Sequence, residues 1–220
     1  MPLQADKDGP RKTVYFPGGE RYRGEWRANL RHGKGCLTYR NGAKYEGDWH
    51  EGLRHGTGTL WTFSGGKYKV KYSGGWHRDV PTGAGTYYDP EGNLYEGEWR
   101  EGRRCGHGRM AYGAAAAGGA GGATYDGEWR DDVRHGRGTM TYANGNVFEG
   151  HWEADVRCGP GTLFLLDKGT RFDGVWARDV QRAGEYRALE APPPGACGAL
   201  PVLELADAAA VLQGARAAAQ

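Results

Sequence analysis

Residues 22–35 read YRGEWRANLRHGKG, residues 45–58 read YEGDWHEGLRHGTG, and residues 125–138 read YDGEWRDDVRHGRG. Each stretch opens on an aromatic-x-Gly-x-Trp pentad and closes on Gly-x-Gly, whose first glycine stands eleven residues after the opening aromatic. Seven pentads occur along the chain: Tyr22 to Trp26, Tyr45 to Trp49, Tyr72 to Trp76, Tyr95 to Trp99, Tyr125 to Trp129, Phe148 to Trp152 and Phe172 to Trp176. The first six are followed by Gly-x-Gly in register, from Gly33/Gly35 to Gly159/Gly161, while the seventh has only Gly184 near that place. Pentads begin 23 or 24 residues apart, except where the interval stretches to 27 and 30. A fixed period of this size is the mark of a repeat architecture.

Each unit reads as two strands. Side chains alternate across a strand, so Tyr22, Gly24 and Trp26 share one face and Arg23 and Glu25 the other. After a turn, Gly33, Gly35, Leu37 and Tyr39 lie on one face, with Lys34, Cys36 and Thr38 opposite. Bulky residues recur beyond Gly-x-Gly (Leu37, Leu60, Tyr87, Met110, Met140, Leu163), as in a one-sided antiparallel sheet. Glycine weakens a strand, so its repeated use implies that rings from the adjacent strand lie over bare backbone. Asn41-Gly42, Pro90-Glu91-Gly92 and Asn144-Gly145 supply turns between units, and Pro17-Gly18-Gly19 enters the first. The expected fold is all-β: an elongated single-layer antiparallel sheet of consecutive β-hairpins, quasi-one-dimensional and roughly 65 Å long.

Composition agrees. The 220 residues are 38% hydrophobic and hold 40 glycines, 8 tryptophans and 13 tyrosines. Mean hydropathy is −0.76, poor for a thick core. Collagen is excluded by the missing every-third period, and a disordered Gly-rich linker by the aromatics. A formal net charge of +2 gives no global pull towards nucleic acid or anionic membrane. The first twelve residues carry no apolar stretch of a signal peptide. Four scattered cysteines, Cys36, Cys105, Cys158 and Cys197, read as free thiols.

The pentad, the His-Gly-x-Gly that follows it and the period near 23 resemble the MORN (membrane occupation and recognition nexus) repeat, over roughly residues 14–186. The insert from Phe63 to Lys71, the degenerate last unit and the tail ALPVLELADAAAVLQGA (199–215) further resemble a ciliary and sperm member of that family. The resemblance implies a grooved, non-catalytic sheet. Its relatives are attached to lipid kinases, a SET-type methyltransferase, junctional membrane proteins and axonemes.

Four segments are expected: a flexible N-terminus (1–13), the repeats (14–186), a Pro/Gly-rich linker (187–201) and a C-terminal amphipathic helix (202–220). Val202, Leu205, Ala209 and Leu212 fall on one face of that helix, which is short enough to need a surface to dock on. The Ala/Gly run 113–123 and the stretch Phe63–Lys71 are expected to lengthen loops. About 34 residues follow the last unit, too few for a catalytic domain, so no catalytic residue and no cofactor are expected.

Three recurrent positions invite chemistry. His32, His55 and His135 share one with Cys105 and Cys158, but single residues a repeat apart lack the close paired spacing of a zinc site, so no metal is expected. Glu25, Asp48, Glu98 and Glu128 read as solvated cross-strand partners. Arg31, Arg54, Arg104, Arg134 and Arg157, five residues past the pentad Trp with Pro81 and Gln181 as the exceptions, form a charged edge: solvated turn charges, a contact to an acidic protein such as tubulin, or a phosphoinositide site. The aromatic face, Tyr22, Trp26, Tyr45, Trp49, Tyr72, Trp76, Tyr95, Trp99, Tyr125, Trp129, Phe148, Trp152, Phe172 and Trp176, is expected to stay partly open. Its rings serve as the rod's thin core or, for those near the ends and together with Leu205 and Leu212 of the tail, as a groove for helical partners.

These features point to a structural adaptor. By resemblance it belongs to the ciliary axoneme, with axonemal coiled-coil proteins, other MORN proteins or tubulin as partners. The alternatives are a lipid-binding module and a regulatory subunit of a separately encoded enzyme.

Overall fold

A computed structural model describes residues 7–113, 118 and 122–190. The proposed helix 202–220, with Leu205 and Leu212, and most of the run 113–123 lie outside the described residues. Fifteen strands form one antiparallel sheet in which every strand pairs with its neighbours in sequence. They are β1 (Gly9–Tyr15), β2 (Arg21–Arg27), β3 (Leu30–Thr38), β4 (Lys44–His50), β5 (Leu53–Ser64), β6 (Lys67–His77), β7 (Val80–Tyr88), β8 (Leu94–Arg100), β9 (Arg103–Ala111), β10 (Thr124–Arg130), β11 (Val133–Thr141), β12 (Val147–Glu153), β13 (Val156–Leu165), β14 (Thr170–Ala177) and β15 (Val180–Ala188). At about 4.8 Å per strand step the sheet extends roughly 65–70 Å.

Three features differ from expectation. The N-terminal stretch 1–13 is not all loose, because β1 begins at Gly9 and pairs with β2. Its polar composition hid it from the apolar pattern. Nor is Phe63–Lys71 a loop. The β5–β6 hairpin simply runs further, pairing Phe63 with Tyr68 and closing on Gly65-Gly66. Strand β15 likewise carries the sheet to Ala188, just past the expected end at 186.

Every pentad ends in a two-residue turn whose central residues both have positive φ: Ala28-Asn29, Glu51-Gly52, Arg78-Asp79, Glu101-Gly102, Asp131-Asp132, Ala154-Asp155 and Arg178-Asp179. This primed geometry matches the right-handed strand twist, and Asn, Asp or Gly at the second place tolerates it best.

The two glycines of Gly-x-Gly do different work. Gly24 pairs with Gly35, but the register then shifts so that Glu25 faces His32, leaving Gly33 and Lys34 as a bulge. Gly33 has φ 58°, and a Cβ there would meet the Glu25 carboxylate at 2.4 Å. Gly35 instead leaves room for a ring: a Cβ on it would lie 2.1 Å from the Tyr22 hydroxyl. Ladder pairing continues from Gly35 to Gly47, Gly58, Gly74 and Gly85. A line of glycines therefore crosses the sheet, and the first ring of each pentad lies upon it.

Those rings and the tryptophans form one column. Tyr22 meets Trp26 edge-on at 5.1 Å and Trp49 of the next unit at 5.4 Å; Tyr45 meets Trp49 at 5.1 Å and Trp76 at 5.3 Å. The alternation continues to Phe172 and Trp176, 5.8 Å apart. Each edge-to-face pair contributes about 0.5–1.5 kcal/mol beyond its buried area. This column is the core.

Candidate interaction surfaces

The pentad rings are not the open stripe expected of them. From Tyr22 to Trp176 all fourteen are 0–8% exposed. Neighbouring units stack over both sides of each ring, and a second row flanks them: Tyr39, Leu60, Tyr87, Tyr112, Met140, Tyr142 and Leu163, all partly buried. The apolar surface left to a partner on this face is that second row. Tyr39, Tyr112 and Tyr142 have phenols shifted upward by burial.

All but two of the polar atoms within the column are satisfied by the repeat itself. The Tyr22, Tyr45, Tyr72, Tyr95 and Tyr125 hydroxyls donate to the carbonyls of Glu25, Asp48, Gly75, Glu98 and Glu128 at 3.0–3.1 Å. The indole N–H of Trp49 donates to Gly35 O at 3.0 Å, and Trp76, Trp99, Trp129 and Trp152 do the same to Gly58, Gly85, Gly108 and Gly138. Trp26 Nε1 is buried without a partner, because no Gly-x-Gly strand precedes its unit. The Trp176 indole N–H is also unpaired, and nothing in the structure explains it.

The arginine series is not a solvated edge. Each guanidinium lies over the Trp of the following unit: Arg31 over Trp49 (4.3 Å), Arg54 over Trp76 (4.2 Å), Arg104 over Trp129 (4.5 Å), Arg134 over Trp152 and Arg157 over Trp176 (both 4.3 Å). Four of them also grip the second turn residue of that unit. Arg54 donates from its backbone N–H (3.0 Å) and Nε (2.8 Å) to Asp79 Oδ1, and from Nη2 to Asp79 O (2.9 Å). Arg104 with Asp132, Arg134 with Asp155 and Arg157 with Asp179 repeat the grip. Only 18–22% of these four side chains is exposed, so the charge is spent holding units together. Where Pro81 replaces the arginine, Gly102 replaces the aspartate, and one backbone bond from Gly102 N to Pro81 O (3.0 Å) remains. Arg31 faces Gly52 and donates to its carbonyl at 2.8 Å. The joint replacement of Arg and Asp at Pro81 and Gly102 is the one trace of this clasp in the sequence, since Arg31 is kept opposite Gly52.

At the start of the rod Lys7 takes the arginine's part. Its ammonium lies 5.1 Å from the Trp26 ring, and its backbone exchanges bonds with Asn29 (Lys7 N to Oδ1 2.7 Å, Asn29 N to Lys7 O 3.1 Å).

The recurrent acids are not free cross-strand charges either. Glu25, Asp48, Glu98 and Glu128 accept the bulge N–H groups of Lys34, Thr57, His107 and Arg137 at 2.8–3.0 Å. Burial raises the Asp48 pKa, but bonds from Lys34 and Thr57 outweigh it and the net shift is downward. On the same face His32, His50, His55 and His77 form a row with ring centroids 5.0–5.5 Å apart. Among the described residues no group of three or more His, Cys, Asp or Glu is arranged to hold a metal. No helix among them is long and apolar enough to cross a membrane.

An open sheet of serial hairpins, stapled by an aromatic column and an Arg–Asp clasp, defines a linear β-hairpin repeat protein. The MORN repeat model matches residues 22–44, 45–67, 72–94, 95–113, 125–147 and 148–164, more than half of the chain, and the chain belongs to that family. Comparison with curated proteins gives no match. MORN repeat proteins are in general non-catalytic modules for protein interaction or membrane binding.

Proposed function

We propose that this chain is a non-catalytic scaffold of the ciliary axoneme, associated with radial spokes or doublet microtubules, that holds helical or coiled-coil proteins in place. The observation that carries the scaffold part is the unbroken column of rings beneath fifteen serial strands. Such a rod spans distance and offers the same partly open second row at regular steps. Tyr39, Tyr112 and Tyr142 in that row, rather than the buried pentad rings, are the groups that meet a partner helix. The axonemal part rests on the resemblance of the insert, the last unit and the tail to a ciliary family member.

Tagged protein in a ciliated cell, extracted with detergent and then salt, tests the reading. Retention with the detergent-insoluble axoneme and release at high salt are expected. Release in the detergent-soluble fraction would sink it and favour membrane attachment. The lipid reading has the weaker support, since the arginines it needs are stacked on indoles and clasped to aspartates.

A further inference from the structure

The face opposite the rings carries a groove of about 920 Å³ across β1–β4. Among the side chains lining it, Arg11, Lys12, Arg21, Arg23, Lys34 and Lys44 are cationic and only Glu25 and Glu46 are acidic. Both acids are engaged: Glu25 accepts the Lys34 N–H at 3.0 Å, and Glu46 lies 3.4 Å from the Lys44 ammonium. Lys34 is held by Asp48 at 2.6 Å. Among the described residues Lys12, Arg21 and Arg23 have no ion pair and are exposed.

This charge belongs to one end of the rod. The position after each pentad's opening aromatic is Glu46, Ser73, Glu96, Asp126, Glu149 and Asp173 in the later units, but Arg23 in the first. A second groove on the same face, about 700 Å³, has Arg137 against Glu149 and Asp173. The repeat pattern asks for an acid at this place, and the first unit reverses its sign.

We propose that the groove over β1–β4 binds an extended acidic segment of a partner protein. Gly24, Gly35 and Gly47 form its floor, where backbone groups are already used in the ladders and no side chain blocks a chain lying across the strands. Four strands span roughly 15 Å, the reach of about four or five extended residues. The cations line a depression, which an unfolded chain can enter and a flat bilayer meets less well. Opposed charges at such a site speed encounter and set register. The inference deepens the scaffold reading by naming the chemistry of one partner.

Fluorescence anisotropy of a labelled oligoglutamate peptide with the purified full chain is the test, with an oligoglutamine peptide as control. The glutamate peptide is expected to bind at least about tenfold tighter, with affinity falling as salt rises. Substituting Lys12→Gln, Arg21→Gln and Arg23→Gln together is expected to weaken it by about tenfold or more, while Arg137→Gln leaves it unchanged. The triple variant's far-UV circular dichroism and melting point verify its fold. Equal binding of both peptides, or an unaffected triple variant, overturns the proposal. So does strong binding to phosphatidylcholine vesicles carrying phosphatidylinositol bisphosphate without peptide binding, which assigns the groove to headgroups. Any of these leaves the fractionation result, and with it the axonemal reading, to stand separately.

Discussion

The guanidinium of Arg54 lies 4.2 Å from the centroid of the Trp76 ring, one repeat further along the rod. The same side chain donates to Asp79, three residues past that tryptophan. One residue therefore ties the core of the next unit to its turn, and the chain repeats the device at Arg104, Arg134 and Arg157.

Substituting Arg54→Ala is expected to cost about 1–2 kcal/mol, combining a partly desolvated cation–π contact with charge-assisted hydrogen bonds. The figure is held down because Asp79 is 41% exposed. Arg54→Lys should recover little, since an ammonium lacks the planar fork that serves Trp76 and Asp79 together. Urea denaturation of R54A, D79A and the double variant checks this. Strictly additive losses would show that the clasp has no coupling energy.

Replacing Gly35 by alanine places a Cβ about where the Tyr22 ring lies and should cost roughly 2–3 kcal/mol. Gly18→Ala, where nothing stands within 4 Å, is the control and is expected to be nearly neutral. Thermal denaturation separates the two, and similar melting points would refute the ring-over-glycine account.

Asp48 has a lowered pKa in the folded chain. Its contribution is therefore present above the ordinary carboxylate value and is lost as pH falls through the lower folded value. The stability gap between the wild-type chain and Asp48→Asn should be constant at neutral pH and close below about pH 4. Denaturant titrations from pH 7 to pH 3 read it directly. A gap that persists undiminished into acid would mean the carboxylate charge contributes nothing.

At the alkaline end the column itself titrates. Burial raises the Tyr72 phenol to about 12 and those of Tyr22, Tyr45, Tyr95 and Tyr125 further. An acid whose folded pKa is raised stabilises the fold fully below the ordinary tyrosine value, and that contribution disappears as pH rises through the folded value. Absorbance at 295 nm should show these phenols ionising together with the loss of far-UV signal. Ionisation near pH 10 with the sheet intact would contradict their burial.

Removing residues 1–15 takes away β1, the Lys7 contact and the cover over Trp26. A loss on the order of 2–4 kcal/mol is expected from the exposed ring and freed strand edge, together with self-association through that edge. Denaturation and light scattering measure the two effects.

Much of this was legible in the chain alone. Tyr22, Gly24 and Trp26 alternate with Arg23 and Glu25, and that period-2 pattern, repeated near every 23 residues, predicts serial hairpins that the sheet shows strand by strand. Strand β1 was not legible because GPRKTVY has almost no apolar alternation. Phe63 to Lys71 looked like a loop because an insertion into a period is indistinguishable from a longer hairpin. The arginines misled for a different reason. Arg54 and Asp79 are 25 residues apart, one at the start of β5 and the other in a turn, at positions where composition alone says solvent.

The sequence by itself determined the architecture, because a strand's two faces are written in alternate residues and a repeated unit can only stack on its own copy. Tertiary structure alone decided what the repeated polar groups do. Whether Glu25 faces water or seals the bulge at Gly33, and whether Arg157 is a binding charge or a clasp on Trp176, depends on which unit's turn lies beside it. That is set by the register shift after each Gly–Gly pair and by the twist between hairpins, and neither appears in the order of the residues.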